Sequence, residues 1–371
     1  MIVSLVLLGF FFSLAFSPGI AAPQEKQEEK KEDEVAGKIL IPEEVKLVLQ
    51  EGLVQRQGRQ DIPFNIVKHL YLPAGENVHS IFIFKMKNAD MGFAPRVEVP
   101  VEEKPEEEKT AEEEKKEAPP VSEIETLPVQ LQANLNVFLQ FHHLNKKESQ
   151  ENIKEVYIPL NLQIEKTSYD PEKEEIYTSA YPLPSGDYLL AMAITSPDLQ
   201  KIGTSYYEFS LSDILSFKEK LDTTPVFFVK KITQMASPEM TSEIHKNFFT
   251  YSILQIEPKI KNVLAKGENL DVFFFIYGIQ AKENGKYNIE VNYEVLKEEE
   301  KVILFKPVTY SAPIISQPLP MKKTALIKSE GKEEKQEIQD LGPGFYTLSI
   351  NIKDNVSGKS LNKDIDFEVK E

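Results

Sequence analysis

The chain has 371 residues, a formal net charge of −16 and 41% hydrophobic residues, which is enough for more than one packed core. It contains no Cys, so disulfides, thiolate metal sites and thiol nucleophiles are excluded, and it contains no Trp. Its 24 Pro, 22 Phe and 14 Tyr favour strands and turns over helical bundles. The excess of acidic residues argues against nucleic acids and anionic membrane surfaces as partners.

The N-terminal segment, 1–22, has the layout of a secretory signal peptide. An apolar run over 2–16 precedes the helix-breaking residues 17–19, and the small residues Ala21 and Ala22 offer a cleavage site. The run is shorter than the roughly 20 residues that a membrane-spanning helix needs. We therefore expect export to the periplasm or the extracellular space, with no membrane span after cleavage. Retention as an uncleaved anchor is the alternative.

Two low-complexity segments carry much of the negative charge. Residues 23–37 have too few apolar side chains to fold, and we predict a disordered charged linker there. Residues 98–126 are rich in Glu and Lys, are interrupted by Pro and have no apolar face to pack. We interpret them as an acidic insertion in the first domain. A solvated spacer is the favoured role, with weak, diffuse cation binding as the alternative.

Strand patterns between the linker and residue 211 predict a first β domain over 38–211. Runs of β-forming residues occur at 61–72 and 78–86. Residues 129–137 alternate between apolar and polar side chains, as expected of a strand with one buried face.

A short connecting helix is predicted over 212–223, where Ser212 or Asp213 can act as the N-cap. The remaining residues, 224–371, are predicted to form a second β domain. Within it, residues 287–295 alternate in the same way as the half-buried strand of the first domain.

A repeated motif indicates that the two domains are copies of one another. Residues 183–195 and 341–353 share the pattern L-x-x-G-x-Y-x-L-x-x-x-I, and the two copies lie 158 residues apart. The alternating segments 129–137 and 287–295 are separated by the same number of residues. A second pattern, L-x-x-G-E-N, begins at residues 72 and 264, which is a larger separation. The difference between the two sequence separations is close to the length of the acidic stretch. We therefore infer a duplication with an insertion in the first copy.

The repeated motif predicts a structural corner in each copy. Its Gly falls in a turn that needs positive φ or a close approach of the chain, and its Tyr begins the following strand. This arrangement resembles the tyrosine corner of immunoglobulin-like and fibronectin-type sandwiches, in which the ring packs in the core and the hydroxyl bonds the backbone. We assign a structural role, with ligand contact as the alternative, to Leu183, Gly186, Tyr188, Leu341, Gly344 and Tyr346.

No sequence pattern predicts a catalytic residue, a cofactor site or a metal site. The motifs H-E-x-x-H, G-x-S-x-G, the Walker loop and G-x-G-x-x-G are absent, and the acidic stretches lack calcium-loop spacing. His142 and His143 are adjacent, so on a strand they point to opposite faces and cannot bind one ion together. We therefore predict a protein that is not an enzyme. An enzyme with an unrecognised site is the remaining alternative.

The second domain resembles β-sandwich modules of uncharacterised exported bacterial proteins. The stretches that carry the resemblance are "GENLDVFFFIYG", "GKYNIEVNYEV", "LGPGFYTLSINIKDNVSGKS" and "IDFEV". Such modules are labelled as von Willebrand A-related or as carrying a G-W-x-T-D motif. This chain has neither that motif nor the D-x-S-x-S metal site, so functions tied to those elements do not carry over. The resemblance implies an Ig-like or fibronectin-like sandwich.

Together these features predict an all-β protein of two duplicated Ig-like sandwiches joined by a short helix-containing linker. We expect a non-catalytic role in protein–protein interaction or scaffolding in the cell envelope, with other envelope or secreted proteins as partners. A pair of carbohydrate-binding modules is the alternative, because exposed Tyr or Phe rings can stack on sugars. The absence of Trp counts against it.

Overall fold

The structure is a computed structural model, and it describes residues 41–55, 57–95, 130–144, 153–213, 219–239, 242–327 and 335–371. The predicted signal peptide, the linker 23–37 and the acidic insertion 98–126 lie outside these ranges. The described chain is mostly β, with several antiparallel sheets and one α-helix. Among the residues described, no helix has the length and apolar character needed to traverse a bilayer.

The described part of the first half of the chain contains one helix and eight strands. They are α1 (Glu43–Gln55), β1 (Phe64–Ala74), β2 (Asn77–Lys87), β3 (Ala94–Pro95), β4 (Gln130–His143), β5 (Ile153–Glu165), β6 (Glu174–Leu183), β7 (Gly186–Thr195) and β8 (Ile202–Leu211). Two short 3-10 helices, Asn88–Met91 and Lys166–Ser168, lie between strands.

The second half contributes fifteen strands to the described structure. They are β9 (Asp222–Thr223), β10 (Phe227–Gln234), β11 (Ile244–Lys246), β12 (Phe249–Tyr251), β13 (Leu254–Pro258), β14 (Val263–Ala265), β15 (Leu270–Tyr277), β16 (Ile289–Lys297), β17 (Glu300–Leu304), β18 (Val308–Tyr310), β19 (Ile314–Leu319), β20 (Lys322–Ile327), β21 (Lys335–Asp340), β22 (Gly344–Asp354) and β23 (Ser360–Lys370).

These strands form four large sheets and one hairpin. Sheet I has the order β1-β2-β6-β11, and sheet II has the order β5-β4-β7-β8, with β3 also on β4. Sheet III has the order β12-β13-β10-β15-β19, with β9 on β15. Sheet IV has the order β14-β23-β22-β16-β17, with β18 on β16, and β20 and β21 form the separate hairpin. The pairs are antiparallel except for β14 with β23.

Each half buries its core between two sheets. In the first half the alternate residues Leu135, Val137, Leu139 and Phe141 of β4 point from sheet II toward sheet I. In the second half the inward residues of β16 and β22 pack against sheet III in the same way, as the alternation of 287–295 predicted. Both cores consist of fully buried aliphatic and aromatic side chains.

Helix α1 corrects the prediction that the domain starting at residue 38 is entirely β. Val45 and Leu49 are spaced four apart and lie on one helical face, and both are buried against the outer surface of sheet II together with Ile41, which precedes the helix. Glu43 and Glu44 occupy the first turn, where negative charge is favourable. The carbonyl of Pro42 accepts the first hydrogen bonds of the helix.

A third core joins the two halves of the described chain. The outer face of sheet I packs against the outer face of sheet III, so sheets II, I, III and IV form four successive layers. Strand β11, from the second half, also extends sheet I by pairing with β6. The fully or nearly fully buried residues of this junction core are Leu70, Leu72, Ile81, Ile83, Phe227, Val229, Phe249, Ile256 and Phe273.

The predicted connecting helix over 212–223 does not extend to its proposed end. Asp222 and Thr223 form β9, which pairs with Ile276 and Tyr277 at the end of β15. Residues 214–218, the centre of the prediction, lie outside the described residues.

The strand register shows that the alternating strands β4 and β16 are not related by the separation of 158 residues that relates the two motifs. In sheet II, Val137 pairs with Ile194, whereas in sheet IV, Val291 pairs with Ile352. Ile194 and Ile352 are 158 residues apart, but Val137 and Val291 are only 154 apart. The predicted match between β4 and β16 is therefore displaced by four residues. Because side chains alternate with a period of two, a displacement of four keeps every residue on its face and leaves the pattern unchanged.

The strand that precedes the repeated motif is followed by different segments in the two halves. Leu183 ends β6 and pairs with Val78, and Leu319 ends β19 and pairs with Leu270. In the second half, hairpin β20–β21 follows before the chain reaches Leu341. In the first half, by contrast, the chain passes directly from β6 to β7.

Candidate functional site

The two motif tyrosines lie in separate cores, at the start of equivalent strands. The Tyr188 hydroxyl donates to the carbonyl of Pro184 at 3.0 Å, and the Tyr346 hydroxyl donates to the carbonyl of Gly342 at 2.8 Å. Each acceptor lies four residues upstream, which is the contact that a corner tyrosine makes. Both rings are nearly buried, so they face protein and offer no surface to a ligand.

Each tyrosine ring stacks on a Phe of the neighbouring strand. Tyr188 pairs with Phe209 across β7 and β8, with ring centroids 5.4 Å apart, and Tyr346 pairs with Phe367 at 5.6 Å. The leucines of the motif, Leu183 and Leu341, are buried in the same cores. The motif residues therefore belong to two packing sites.

The motif glycines adopt nearly the same backbone conformation. Gly186 has φ of 149° and Gly344 has φ of 148°, values that favour glycine. A Cβ at Gly186 would come within 2.5 Å of the His143 ring, whereas the nearest atom to a Cβ at Gly344 is Lys297 Nζ at 3.6 Å. Lys297 Nζ also lies 5.6 Å from the centre of the Tyr346 ring. The first corner is therefore more crowded than the second.

The five histidines occupy different surroundings. His142 and His143 are consecutive residues of β4. The ring of His69 stacks on Phe82 and its Nε2 lies 2.7 Å from Ser80 Oγ, inside the first half. Burial lowers the pKa of His69 to about 4, so the imidazole is neutral at neutral pH.

The remaining two, His79 and His245, line one cavity of about 290 Å³ at the junction of the two halves. Strand β6 forms one wall through Thr178 and Ala180, and β11 places His245 opposite Thr178. The cavity is the most developed candidate site in the described part of the chain, because ionisable side chains from several segments converge on it.

Three potential metal ligands meet in this cavity. They are Glu239, Glu243 and His245, and their ligand atoms all lie within 4.8 Å of one another. His245 Nε2 is 2.9 Å from Glu239 Oε2. Thr250 donates its hydroxyl to the same carboxylate oxygen at 2.6 Å, which fixes the orientation of Glu239. His79 Nε2 in turn lies 3.2 Å from the carbonyl of Thr250.

Some of the ionisable groups that line or adjoin the cavity are partly buried. Burial lowers the pKa of His79, although its hydrogen bond to the backbone of Thr250 acts in the opposite direction. Tyr251 lies beside His79, and burial raises its pKa to about 12. Its hydroxyl donates to the carbonyl of Pro73 at 2.5 Å. Hydrogen bonds at the cavity, between His79 and Thr250, and beside it, between Tyr251 and Pro73, therefore connect the two halves.

The sequence interpretation missed this site and assigned no metal ligands. Its only signal is the spacing E-x-x-x-E-x-H over 239–245, which is common by chance. The fold brings these side chains together at one cavity beside sheet I, where β11 pairs with β6. A pairing between residues so far apart in the chain leaves no periodic trace in the sequence.

A second candidate surface is the outer face of sheet IV, which no other described element covers. A shallow groove of about 350 Å³ crosses it, lined by Asn292, Asn351 and Asn362 from three adjacent strands. These three residues are directly paired, so their amides form one row. Phe345 and Leu304 also lie on this face and are 77% and 66% exposed.

Charge on this face is mainly acidic. Beside the Asn row lie the carboxylates Glu290, Glu294, Asp364, Asp366 and Glu368, together with Lys301 and Lys353. Lys301 is already paired with Glu294 at 2.8 Å.

A search against protein-family descriptions and a search against curated proteins found no match for this chain.

Proposed function

We propose that the chain is an exported, non-enzymatic protein that acts through protein–protein contacts, as a scaffold in the cell envelope. Its two halves are interpreted as duplicated Ig-like sandwiches. The strand order supports this interpretation, because sheet I contains β1-β2-β6 where sheet III contains β10-β15-β19. Likewise β5-β4-β7-β8 of sheet II corresponds to β17-β16-β22-β23 of sheet IV. The near-identical φ values of Gly186 and Gly344 agree with it.

The observation that carries the interaction proposal is the uncovered outer face of sheet IV. The corresponding face of sheet II is covered by α1, which buries its apolar residues. Sheet IV instead presents exposed Phe345 and Leu304 among carboxylates and amides. Exposed aromatic and aliphatic anchors surrounded by polar groups are typical of protein interfaces. The junction core would hold this face in a fixed orientation relative to the first half.

A site-specific photo-crosslinker tests the proposal. It would replace Phe345 in one full-length variant and Val54 in a matched variant, because Val54 is 89% exposed on α1, away from sheet IV. In intact cells we expect a discrete adduct from position 345 and none from position 54. A Phe345→Glu variant should no longer compete for the partner. Equal adducts from both positions, or none from either, would contradict the proposal.

The claim that the protein is not an enzyme has a separate test. A hydrolytic activity that remains with the purified protein, and that a point substitution abolishes, would overturn it. The export that we propose rests on the sequence of segment 1–22. Fractionation of cells that produce the full chain, with detection of the mature N-terminus, distinguishes a cleaved signal peptide from a retained anchor.

Carbohydrate binding is the second candidate function, and the Asn row favours it. Three aligned amides offer paired donors and acceptors of the kind that sugar hydroxyls use. The groove residues include no aromatic side chain on which a sugar ring could stack. A glycan array probed with the full chain and with an Asn351→Ala variant decides between the two functions. Binding that this substitution abolishes would support the second, and a blank array would remove it.

A further inference from the structure

The junction cavity contains a set of side chains whose chemistry matches a divalent transition-metal ion. Glu239 and Glu243 offer carboxylate oxygens and His245 offers an imidazole nitrogen, which are ligand types that Zn²⁺ binds. Ligands of a tetrahedral zinc ion lie about 2.0–2.2 Å from the metal, and hence about 3.3 Å from one another. The three atoms here lie within 4.8 Å of one another, so small side-chain rotations are enough to reach that geometry.

We propose that Glu239, Glu243 and His245 form a site for a divalent transition-metal ion of the zinc type. The ion would occupy the place of the hydrogen that now joins His245 Nε2 to Glu239 Oε2 at 2.9 Å. Three protein ligands leave a fourth position, which faces the cavity of about 290 Å³ and has room for water or a small ligand.

The surroundings of Glu239 are arranged as metal sites require. Thr250 donates its hydroxyl to Oε2 of Glu239, and the carbonyl of Thr250 contacts His79 Nε2. Such outer hydrogen bonds orient a ligating carboxylate and raise metal affinity. His245 is held in register by the pairing of β11 with β6, and its ring stacks on Phe248 at 4.6 Å. Glu239 and His245 therefore already have defined positions.

The site lies where the second half of the chain attaches to the first. Its ligands come from β11 and from the segment before it, and the cavity wall opposite belongs to β6 and β2 of the first half. A bound ion would therefore tie the segment that contains Glu239 and Glu243 to His245 of β11, which is itself paired with sheet I. Because the ion would bind the folded state and not the unfolded chain, it should raise the melting temperature.

The test is calorimetric titration of the full-length chain, freed of metal by a chelator, with Zn²⁺ and with Mg²⁺. The proposal expects one high-affinity Zn²⁺ site, little response to Mg²⁺ and a rise in melting temperature with Zn²⁺ alone. The variant Glu243→Gln should weaken Zn²⁺ binding by roughly tenfold or more. It leaves the contacts of Glu239 with His245 and Thr250 in place. Glu172→Gln, which removes an exposed carboxylate paired with Lys87, is the matched control and should bind like the parent.

Substitution of Co²⁺ for Zn²⁺ adds a spectroscopic readout. A visible absorption band of a tetrahedral Co²⁺ site should appear in the parent and in Glu172→Gln, and it should be lost in Glu243→Gln. Failure of the parent to bind Zn²⁺, or equal affinity in the parent and in Glu243→Gln, would overturn the proposal. The result is independent of the crosslinking experiment at Phe345, because the two sites lie on different surfaces of the protein.

Discussion

The outer faces of sheets II and IV occupy the same place in the two halves, but only one of them is covered. Strand β7 presents Ala191 and Ala193 to α1, and both are fully buried. Strand β22, in the same position of sheet IV, presents Ser349, which is buried but hydrogen-bonded to Asn362, and Asn351, which is partly exposed. Small apolar side chains let a helix approach closely, whereas polar ones keep the face hydrated. A few outward-pointing residues therefore decide whether the face is part of a core or available for binding.

Exchange of one side chain between the two faces tests this difference most strongly. Ala193→Asn places an amide in the apolar contact between sheet II and α1, where it has excess volume and no hydrogen-bond partner. We expect it to reduce the free energy of unfolding by about 3 kcal/mol. The reciprocal change, Asn351→Ala, should alter it by less than about 0.5 kcal/mol. Urea unfolding followed by circular dichroism measures both, and similar losses would show that the two faces are equivalent.

The inner cores differ as well, because the first contains a partly buried histidine. His69 lies beside buried Ser80, whereas Val272 occupies the corresponding position of β15. The pKa of His69 falls from 6.5 to about 4 on folding. Between these two pH values the imidazole is therefore mostly protonated in the unfolded chain and mostly neutral in the folded chain. This contribution to stability is present above pH 6.5 and is lost as the pH falls toward 4. The loss is at most on the order of 3 kcal/mol.

The variant His69→Gln isolates this effect. Glutamine can still hydrogen-bond to Ser80 but does not titrate, so its unfolding free energy should depend less on pH between 6.5 and 4 than that of the parent. The carboxylates, which titrate in part of the same range, are common to both proteins and cancel in the comparison. Parallel pH profiles for the parent and the variant would contradict the assignment of acid sensitivity to the first half.

The tyrosine corners should behave alike if the two halves are copies. Tyr188→Phe and Tyr346→Phe each remove one hydroxyl that donates to a carbonyl four residues upstream, and they leave the ring in place. Each should lower the unfolding free energy by about 1 kcal/mol. Thermal unfolding of the two variants measures this directly. Melting temperatures equal to that of the parent would show that the hydroxyls do not act as staples.

Local patterns allowed much of the β structure to be predicted. The alternation of 287–295 identified a half-buried strand, and the outcome is β16 with every second residue in the core. The helix α1 was missed because its Val and Leu residues also suit strands. Its distinguishing signals were the four-residue spacing of Ile41, Val45 and Leu49 and the acidic first turn after Pro42. Those signals were present in the sequence and could have been used.

Other features could not be deduced from local patterns. The four-residue shift between β4 and β16 preserves the alternation, so only the pairing partners show it. The apolar run "VFFFIYG" does not reveal that Phe273 faces the first half while Phe274 faces the second core. The same applies to Glu239, Glu243 and His245, whose proximity depends on the pairing of β11 with β6.

The position of β11 has a consequence for how the protein is made. The ribosome releases β6 well before residues 244–246 exist, so sheet I emerges with an unpaired edge and with Leu70, Leu72, Ile81 and Ile83 uncovered. Exposed apolar faces and open strand edges are the features that draw nascent chains into aggregates. The first half therefore completes its folding only after translation has passed β15. A chaperone that shields the chain during this interval would act on sheet I.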